Sequence, residues 1–295
     1  MNLSRAWRHE LYDFVRAFSG AFLFGVPFLW TMEMWWIGAT AELWKLFLFL
    51  LLVFLLNVHL AYFTGFKDEE AFSTHVSEAI EAMAVGVVTA TVVLLALNRI
   101  TPGDPLGSVL GQIVVQAIPL SIGAAAANAL LGDGQKHRLD AQSQDGEKED
   151  EARRLPAVAD LSPWRATLND LGATITGGLF VGFAIAPTDE ISMLAAEVGP
   201  WHEVSLMALS LLVSYAIVFE SGFSPRIKER SSVGYFQRPL TETIMAYLVS
   251  LLVAAFALYF FDRIDLGESL TATFSQVVVL GLPISLGGAA GRVVV

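Results

Sequence analysis

The chain contains no cysteine and has few charged side chains. The absence of thiols excludes disulfide bonds, thiolate metal sites and cysteine nucleophiles. Asp, Glu, Lys and Arg make up 16% of the 295 residues, against about 25% in an average soluble domain. The net charge of −11 argues against nucleic-acid binding, which requires a basic face. Hydrophobic residues reach 55% and the mean hydropathy is +0.58, so the composition indicates a multi-pass membrane protein.

Several sequence motifs of membrane enzymes and pumps are also missing. The chain has no GxxxxGK[ST] loop, no HExxH or GxSxG motif and no Cys/His cluster. These absences argue against an ATP-driven pump, a membrane protease and a lipase. We therefore expect neither enzymatic activity nor a cofactor, and the sequence identifies no metal.

Eight apolar stretches reach the length of about 20 residues that a transmembrane helix needs. The stretches are long and do not alternate in polarity, which favours helices over a β-barrel. The fifth is the weakest, because Pro187, Asp189 and Glu190 interrupt its far end. The predicted spans are Phe14–Ile37, Leu43–Tyr62, Val76–Leu97, Leu106–Leu131, Leu168–Leu194, Val204–Phe219, Leu240–Phe261 and Leu270–Val294.

The distribution of basic residues predicts the orientation of the chain. All of the 18 Lys and Arg residues except Lys45, Arg99 and Arg263 fall on the side that holds both termini. The positive-inside rule makes that side cytoplasmic. The polar segment 132–160 lies on the same side, and its composition predicts a disordered linker. A regulatory segment is the alternative.

An internal repeat organises the chain. Trp7-Arg8 recurs as Trp164-Arg165, and the block GQIVVQAIPLSIGAAA at 111–126 recurs as SQVVVLGLPISLGGAA at 275–290. Each half holds four predicted spans, and an even number makes the two halves parallel about an axis along the membrane normal. The predicted fold is therefore an all-α membrane protein of two four-helix repeats. We predict a first repeat at 1–131 with an N-terminal interfacial helix, the linker at 132–160 and a second repeat at 161–295.

The duplicated Q-x6-P-x-S-x-G block and the [ST]-E-x-I start of spans three and seven resemble those of an uncharacterised bacterial family. Its members are eight-span integral membrane proteins with an internal duplication, and the resemblance covers nearly the whole chain apart from the linker. It implies a multi-pass protein of the bacterial inner membrane. It implies no activity, since none is known for the family.

Carboxylates within or near the spans are the first candidate site residues. Glu78 and Glu242 occupy matching positions in spans three and seven, and Glu81 lies one turn after Glu78. Two facing carboxylates would favour a cation or a shared proton. As an alternative, both sit in the first turn of their helices and complement the helix dipole. Glu33 and Glu190, near the outer ends of spans one and five, form an outer vestibule or are simply solvated.

The duplicated proline block supplies the second set of candidates. A proline inside a helix frees the carbonyl four residues earlier, and a loose carbonyl beside an amide and a hydroxyl can coordinate a desolvated cation. Alternatively, these residues only kink and glue the spans. The members of the set are Gln112, Pro119 and Ser121 in the first half and Gln276, Pro283 and Ser285 in the second.

These patterns predict a cation channel or secondary transporter with a path along the interface between the repeats. The alternatives are a scaffold or sensor acting through the cytoplasmic linker, and a carrier for a small organic substrate. The expected partners are the lipid bilayer and a cation of unknown identity, with no nucleic acid. A homo-oligomer is an open alternative.

Overall fold

A computed structural model describes residues 3–64, 72–142, 163–220, 239–265, 267 and 269–294. Within these ranges it contains ten α-helices, one π-helical turn and no β-strand. The all-α fold is thereby confirmed. The helices are α1 (Leu3–Leu29), α2 (Met32–Thr40), α3 (Leu43–Thr64), α4 (Phe72–Ala96), α5 (Leu106–Gln142), α6 (Pro163–Ile185), α7 (Glu190–Glu197), α8 (Pro200–Tyr215, continued by the π-turn Ala216–Glu220), α9 (Pro239–Phe260) and α10 (Leu270–Val294).

Seven described helices are long and apolar enough to cross a membrane, and an eighth span results if α1 and α2 together count as one. The seven are α3, α4, α5, α6, α8 with its π-turn, α9 and α10. α3 is the most exposed of them, with 17% of its span buried. Its apolar side chains are therefore placed to face lipid.

The predicted continuous spans Phe14–Ile37 and Leu168–Leu194 are wrong. In the first, α1 ends at Leu29 and the chain turns by 89° into α2. In the second, α6 ends at Ile185 and the separate helix α7 begins at Glu190. Each half therefore opens with a long helix followed by a short one.

Side chains that bind the terminal carbonyls stabilise both breaks. The hydroxyl of Thr31 donates to the carbonyl oxygen of Pro27 at 2.8 Å, and the indole of Trp35 donates to that of Leu29 at 3.1 Å. In the second half the hydroxyl of Thr188 donates to the carbonyl of Ile185 at 2.7 Å. Pro187 lacks the amide that would continue the helix. The breaks thus follow from polar and proline residues inside stretches that composition alone presents as continuous.

Two predicted segments merge with neighbouring helices. α5 runs without a break to Gln142 and so enters the predicted linker 132–160. Residues 143–162 lie outside the described part. The N-terminal amphipathic segment is the first part of α1, which is continuous from Leu3. The predicted interfacial helix is therefore not a separate element.

α5 and α10 are the central helices of the two halves. α5 packs against α1, α2, α3 and α4, and α10 packs in the same way against α6, α7, α8 and α9. The larger contacts between the halves join α1 to α10 and the π-turn, and α4 to α8. This shared pattern of neighbours favours the predicted duplication, which stays a prediction.

Equivalent glycines allow the same close helix crossing in both halves. A β-carbon on Gly123 of α5 would lie 2.6 Å from the carbonyl oxygen of Gly20 in α1. A β-carbon on Gly287 of α10 would lie 2.5 Å from the carbonyl oxygen of Gly177 in α6. Only glycine fits at such a distance.

The ends of α4 and α9 also match. Asn98 and Asp262 both adopt a φ of 55°, in the left-handed region. The next amides, of Arg99 and Arg263, donate to carbonyls five residues earlier at 2.8 Å. This is the Schellman pattern of a helix C-terminus, and it occurs at positions that the repeat makes equivalent.

Candidate functional site

The proline blocks lie inside α5 and α10, as predicted from their position in the spans. Ser121 and Ser285 are buried, and their hydroxyls donate to carbonyls three residues earlier, at 2.9 Å and 2.8 Å. Pro119 and Pro283 are interior to their helices. Each serine hydroxyl is therefore already hydrogen-bonded to a carbonyl oxygen of its own helix.

The glutamines of the blocks are buried near the other end of the same helices. Gln112 and Gln276 are 6% and 7% exposed, and their side-chain oxygens have no hydrogen-bond partner among the described residues. The amide of Gln112 donates to Ser108 at 3.3 Å. These oxygens are acceptors in an apolar setting, but the structure brings no carboxylate into contact with either glutamine in its described part.

The three predicted carboxylates take different environments. Glu81 is exposed on α4, Glu78 is half-buried, and Glu242 on α9 forms an ion pair with Arg292 of α10. The larger contacts between the halves do not join α4 to α9. Facing of Glu78 and Glu242 across the interface between the repeats therefore remains a prediction.

Glu33 and Glu190 lie in the first turns of the short helices α2 and α7. Glu33 is exposed and Glu190 is half-buried. A carboxylate in a first turn is stabilised by the helix dipole. This geometry fits the alternative that the two residues only complement the helix dipole, and the vestibule role stays a prediction.

The Glu242–Arg292 pair is the most buried charged contact in the described part of the chain. The side chain of Arg292 is 4% exposed and that of Glu242 is 12% exposed. An Arg292 Nη donates to Glu242 Oε1, and the guanidinium lies 5.7 Å from the ring centre of Phe219 in the π-turn. Asp170 on α6 is close enough to Glu242 to interact electrostatically. Burial of each ion costs several kcal/mol in desolvation, so each requires the other as partner.

The pair leaves polar atoms unsatisfied. Nε of Arg292 and Oε2 of Glu242 are buried and have no hydrogen-bond partner among the described residues. Glu242 begins α9 and Arg292 ends α10, so the two antiparallel helices place opposite charges at one end of the bundle. Both charges also complement their own helix dipoles.

A narrow cleft, with room for about one water molecule, extends from Arg292 between α8 with its π-turn, α9 and α10. The lining residues span seven positions on each of two helices, from Thr243 to Ser250 on α9 and from Ser285 to Arg292 on α10. At a rise of 1.5 Å per residue this is a depth of about 10 Å. The cleft is lined by Ser214, Val218, Thr243, Ala246, Tyr247, Ser250, Ser285, Ala289 and Arg292.

Tyr247 is the second unsatisfied group in the cleft. It is 4% exposed, and its hydroxyl makes no hydrogen bond of normal geometry, although it lies near Ser210. The hydroxyl of Ser210 donates instead to the carbonyl of Leu206 at 2.7 Å. The hydroxyl of Ser214 donates to the carbonyl of Ser285 at 3.4 Å, across the cleft from α8 to α10.

The helix crossing beside the cleft differs from its counterpart in the first half. A β-carbon on Gly86 of α4 would lie 2.7 Å from the carbonyl oxygen of Ala117 and 2.8 Å from the amide of Ser121, so α4 lies directly on α5. The repeat places Ser250 where the first half has Gly86. The hydroxyl oxygen of Ser250 lies 3.5 Å from the position of a β-carbon on Gly288 of α10, and Ser250 lines the cleft.

Sequence reasoning missed three members of this site. Arg292 was interpreted only as an orienting charge, and neither Tyr247 nor Ser214 stood out. The signal for Arg292 was available, because it interrupts an otherwise apolar helix end, and the repeat places Asn128 at the equivalent position. Its pairing with Glu242 depends on the contact between α9 and α10, which the sequence does not specify.

The fold and this site define a multi-pass α-helical membrane protein with a buried charge pair beside a polar cleft. Residues 13–295 match the model of a family described as "Putative integral membrane protein (DUF2391)". The chain belongs to that family, which agrees with the resemblance seen in its sequence. Neither a curated protein nor a solved structure matches it.

Proposed function

We propose that this protein is a secondary transporter that moves a proton together with a solute through the cleft between α8, α9 and α10. The observation that carries this proposal is the Glu242–Arg292 pair, buried at the end of that cleft. Ionisable side chains buried within a membrane are costly and mark ion pathways. The proposal keeps the predicted cation and moves its path from the interface of the halves into the second half.

A proton is the cation that this site supports best. No group of three or more His, Asp or Glu side chains with the spacing of a metal site occurs among the described residues. The Arg292 guanidinium beside Glu242 repels a metal ion at that carboxylate. One carboxylate is enough to bind a proton. The bound proton neutralises that carboxylate, so its negative charge does not have to cross the bilayer.

The cleft favours transport over a purely structural role of the ion pair. A pair that only joins α9 to α10 is best packed tightly, because buried polar atoms without partners are destabilising by about 1–3 kcal/mol each. Here Arg292 Nε and Glu242 Oε2 have no hydrogen-bond partner among the described residues, and the Tyr247 hydroxyl makes no hydrogen bond of normal geometry there. Water entering the cleft would satisfy these groups and give Glu242 a path for protons.

The proposal includes the orientation predicted by the basic residues. The end of the bundle that holds Glu242 and Arg292 then faces the cytoplasm of a bacterial cell, and the cleft opens from that side. We assign the protein no catalytic activity.

The test is proton movement in liposomes that contain the purified full-length protein. A dye in the lumen reports pH while gradients of sodium nitrate, sodium chloride and potassium chloride are imposed in turn, with protein-free liposomes as the blank. We expect at least one gradient to move protons. The double variant Glu242→Gln with Arg292→Gln should abolish this movement, because it removes the carboxylate and keeps the site neutral.

A matched control comes from the Arg99–Glu197 ion pair, which joins α4 and α7 near the other end of the bundle at 2.5 Å. Its double variant, Arg99→Gln with Glu197→Gln, should retain proton movement. The proposal is wrong if no gradient in the panel moves protons. It is also wrong if the Glu242/Arg292 double variant, folded by its thermal unfolding profile, transports like the unmodified protein.

A further inference from the structure

We propose that a second copy of this chain binds through its α3 to the face that α6 and α9 leave open, so that copies join head to tail in the membrane. The basis is the contact between the two halves of one chain, which the second copy would repeat. The predicted repeat relates residues 157 apart up to the end of α3, as for Trp7 and Trp164, and 164 apart from α4 onwards, as for Gln112 and Gln276. The proposal is independent of proton transport.

The contact between the halves uses a different face on each half. α4 of the first half packs against α8, and α1 packs against the π-turn that continues α8. The repeat makes α3 equivalent to α8 with its π-turn, α6 to α1 and α9 to α4. The reciprocal contacts would join α3 to α6 and to α9, and they are not among the larger contacts in the described part of the chain. The contact is therefore heterologous, and each half leaves one of its two faces open.

α3 carries an open version of the face that α8 buries. Of the span formed by α8 and its π-turn, 44% is buried, against 17% of α3. Leu206 and Val213 of α8 are buried. Phe49 and Leu56, at the equivalent positions of α3, are exposed. Within each helix the two residues lie about two turns apart and so share one side of the helix.

α6 and α9 carry the matching open face. Phe183 of α6 and Phe260 of α9 are exposed. The equivalent residues of the first half, Val26 of α1 and Ala96 of α4, are buried. The rings of Phe183 and Phe260 are stacked with their centres 5.8 Å apart, and Phe260 also stacks on Phe256. An exposed aromatic cluster thus lies on the two helices whose counterparts receive α8.

The contact between the halves identifies a second copy, and not lipid alone, as the occupant of these faces. Lipid covers apolar side chains in every membrane protein, so their exposure alone does not indicate a partner. Here the same two kinds of face already pack on each other within one chain, and helices in a membrane associate through such van der Waals packing. Because the two halves are predicted to be parallel, a second copy in the same orientation presents α3 to α6 and α9 as α8 is presented to α1 and α4. Successive copies then stay in one bilayer and can close into a ring.

One end of the contact between the halves gives a position that can be tested. The side-chain amide of Asn98, after α4, donates to the carbonyl oxygen of Glu197, at the end of α7, at 2.7 Å. The repeat makes Asp262 equivalent to Asn98 and Thr40 equivalent to Glu197, and both Asp262 and Thr40 are exposed. The proposal therefore places Asp262 of one copy beside Thr40 of the next.

Cross-linking in liposomes that contain the purified full-length protein at low density tests this placement, and the cysteine-free chain gives no background. With a short bis-methanethiosulfonate reagent, the double variant Thr40→Cys with Asp262→Cys should form dimers and larger products. The double variant Asn98→Cys with Glu197→Cys should cross-link within one chain, which shows that the reagent spans this contact. A third pair, Thr40→Cys with the exposed Gly103→Cys, should form several-fold fewer dimers, because the proposal does not bring these residues together.

A phenylalanine substitution tests the apolar part of the contact. Phe260→Ala, added to the Thr40/Asp262 cysteine pair, should lower the yield of dimers several-fold, because it removes a ring of the aromatic cluster. Phe28→Ala, at an exposed phenylalanine of α1 outside both open faces, should leave the yield unchanged.

The single variants distinguish a head-to-tail contact from a face-to-face one. Thr40→Cys alone and Asp262→Cys alone should form no dimers, because in a head-to-tail contact neither residue meets its own counterpart. The proposal is overturned if the Thr40/Asp262 pair forms no dimers under conditions in which the Asn98/Glu197 pair reacts. Equal dimer yields from the single variants and the pair, or an unchanged yield with Phe260→Ala, would also overturn it.

Discussion

The strongest quantitative prediction concerns the stability that the Glu242–Arg292 pair provides. Changing either residue alone to Gln leaves the other charge buried at 12% or 4% side-chain exposure. Loss of one partner from a buried pair typically lowers the free energy of unfolding by about 3–5 kcal/mol. Replacing both partners keeps the site neutral, although Gln is shorter than Arg and leaves a small gap at 292. We therefore expect the double variant to lose less stability than either single variant.

The Arg99–Glu197 pair, which is less buried, gives the scale for comparison. Its side chains are 15% and 42% exposed, and pairs in contact with water typically contribute only about 0.2–1 kcal/mol. Reversible unfolding in mixed micelles measures both double-mutant cycles. The coupling energy at Glu242–Arg292 should be several times larger. Equal coupling at the two sites, or single Gln variants within about 0.5 kcal/mol of the unmodified protein, would refute the buried pairing.

Two further predictions concern packing and access. Gly86→Ala should lower the free energy of unfolding by about 1–3 kcal/mol, because its β-carbon would lie 2.7 Å from Ala117 O. The control Gly107→Ala has open space around its β-carbon and should be neutral or slightly stabilising in thermal unfolding. Equal effects of the two variants would contradict the close packing of α4 on α5. Because the chain has no cysteine, a single introduced one reports its own access. Ser285→Cys, in the cleft, should react with a small methanethiosulfonate reagent about tenfold faster than Ser121→Cys, and equal rates would argue against an open cleft in the second half.

The sequence predicts much of this fold, because lipid imposes simple rules on it. Long apolar stretches predict helices, and the stretches 43–62 and 106–127 are found as candidate spans. The breaks after Leu29 and Ile185 were missed, because they depend on individual hydrogen bonds and on Pro187 rather than on hydrophobicity. The duplication could be predicted from rare residues in register, and the matched left-handed positions Asn98 and Asp262 favour it.

The site was only partly predictable. The type of Glu242 and its place in a span single it out as a candidate ion-pathway residue; the structure places it in a buried ion pair, and its role in an ion path stays a prediction. Arg292 as its partner, and Tyr247 beside it, depend on which faces of α9 and α10 meet. The equivalent contact in the first half, between α4 and α5, is different: the first half has Gly86 at the position where the second half has Ser250. Such local asymmetry is invisible to an argument that treats both repeats alike.

The most direct test of the central claim is proton movement in liposomes that contain the full-length protein. At least one of the imposed salt gradients should change the lumen pH. The Glu242→Gln, Arg292→Gln double variant should show no such change. The account is contradicted if the lumen pH stays constant with the unmodified protein under every gradient, or if the double variant changes it at the same rate.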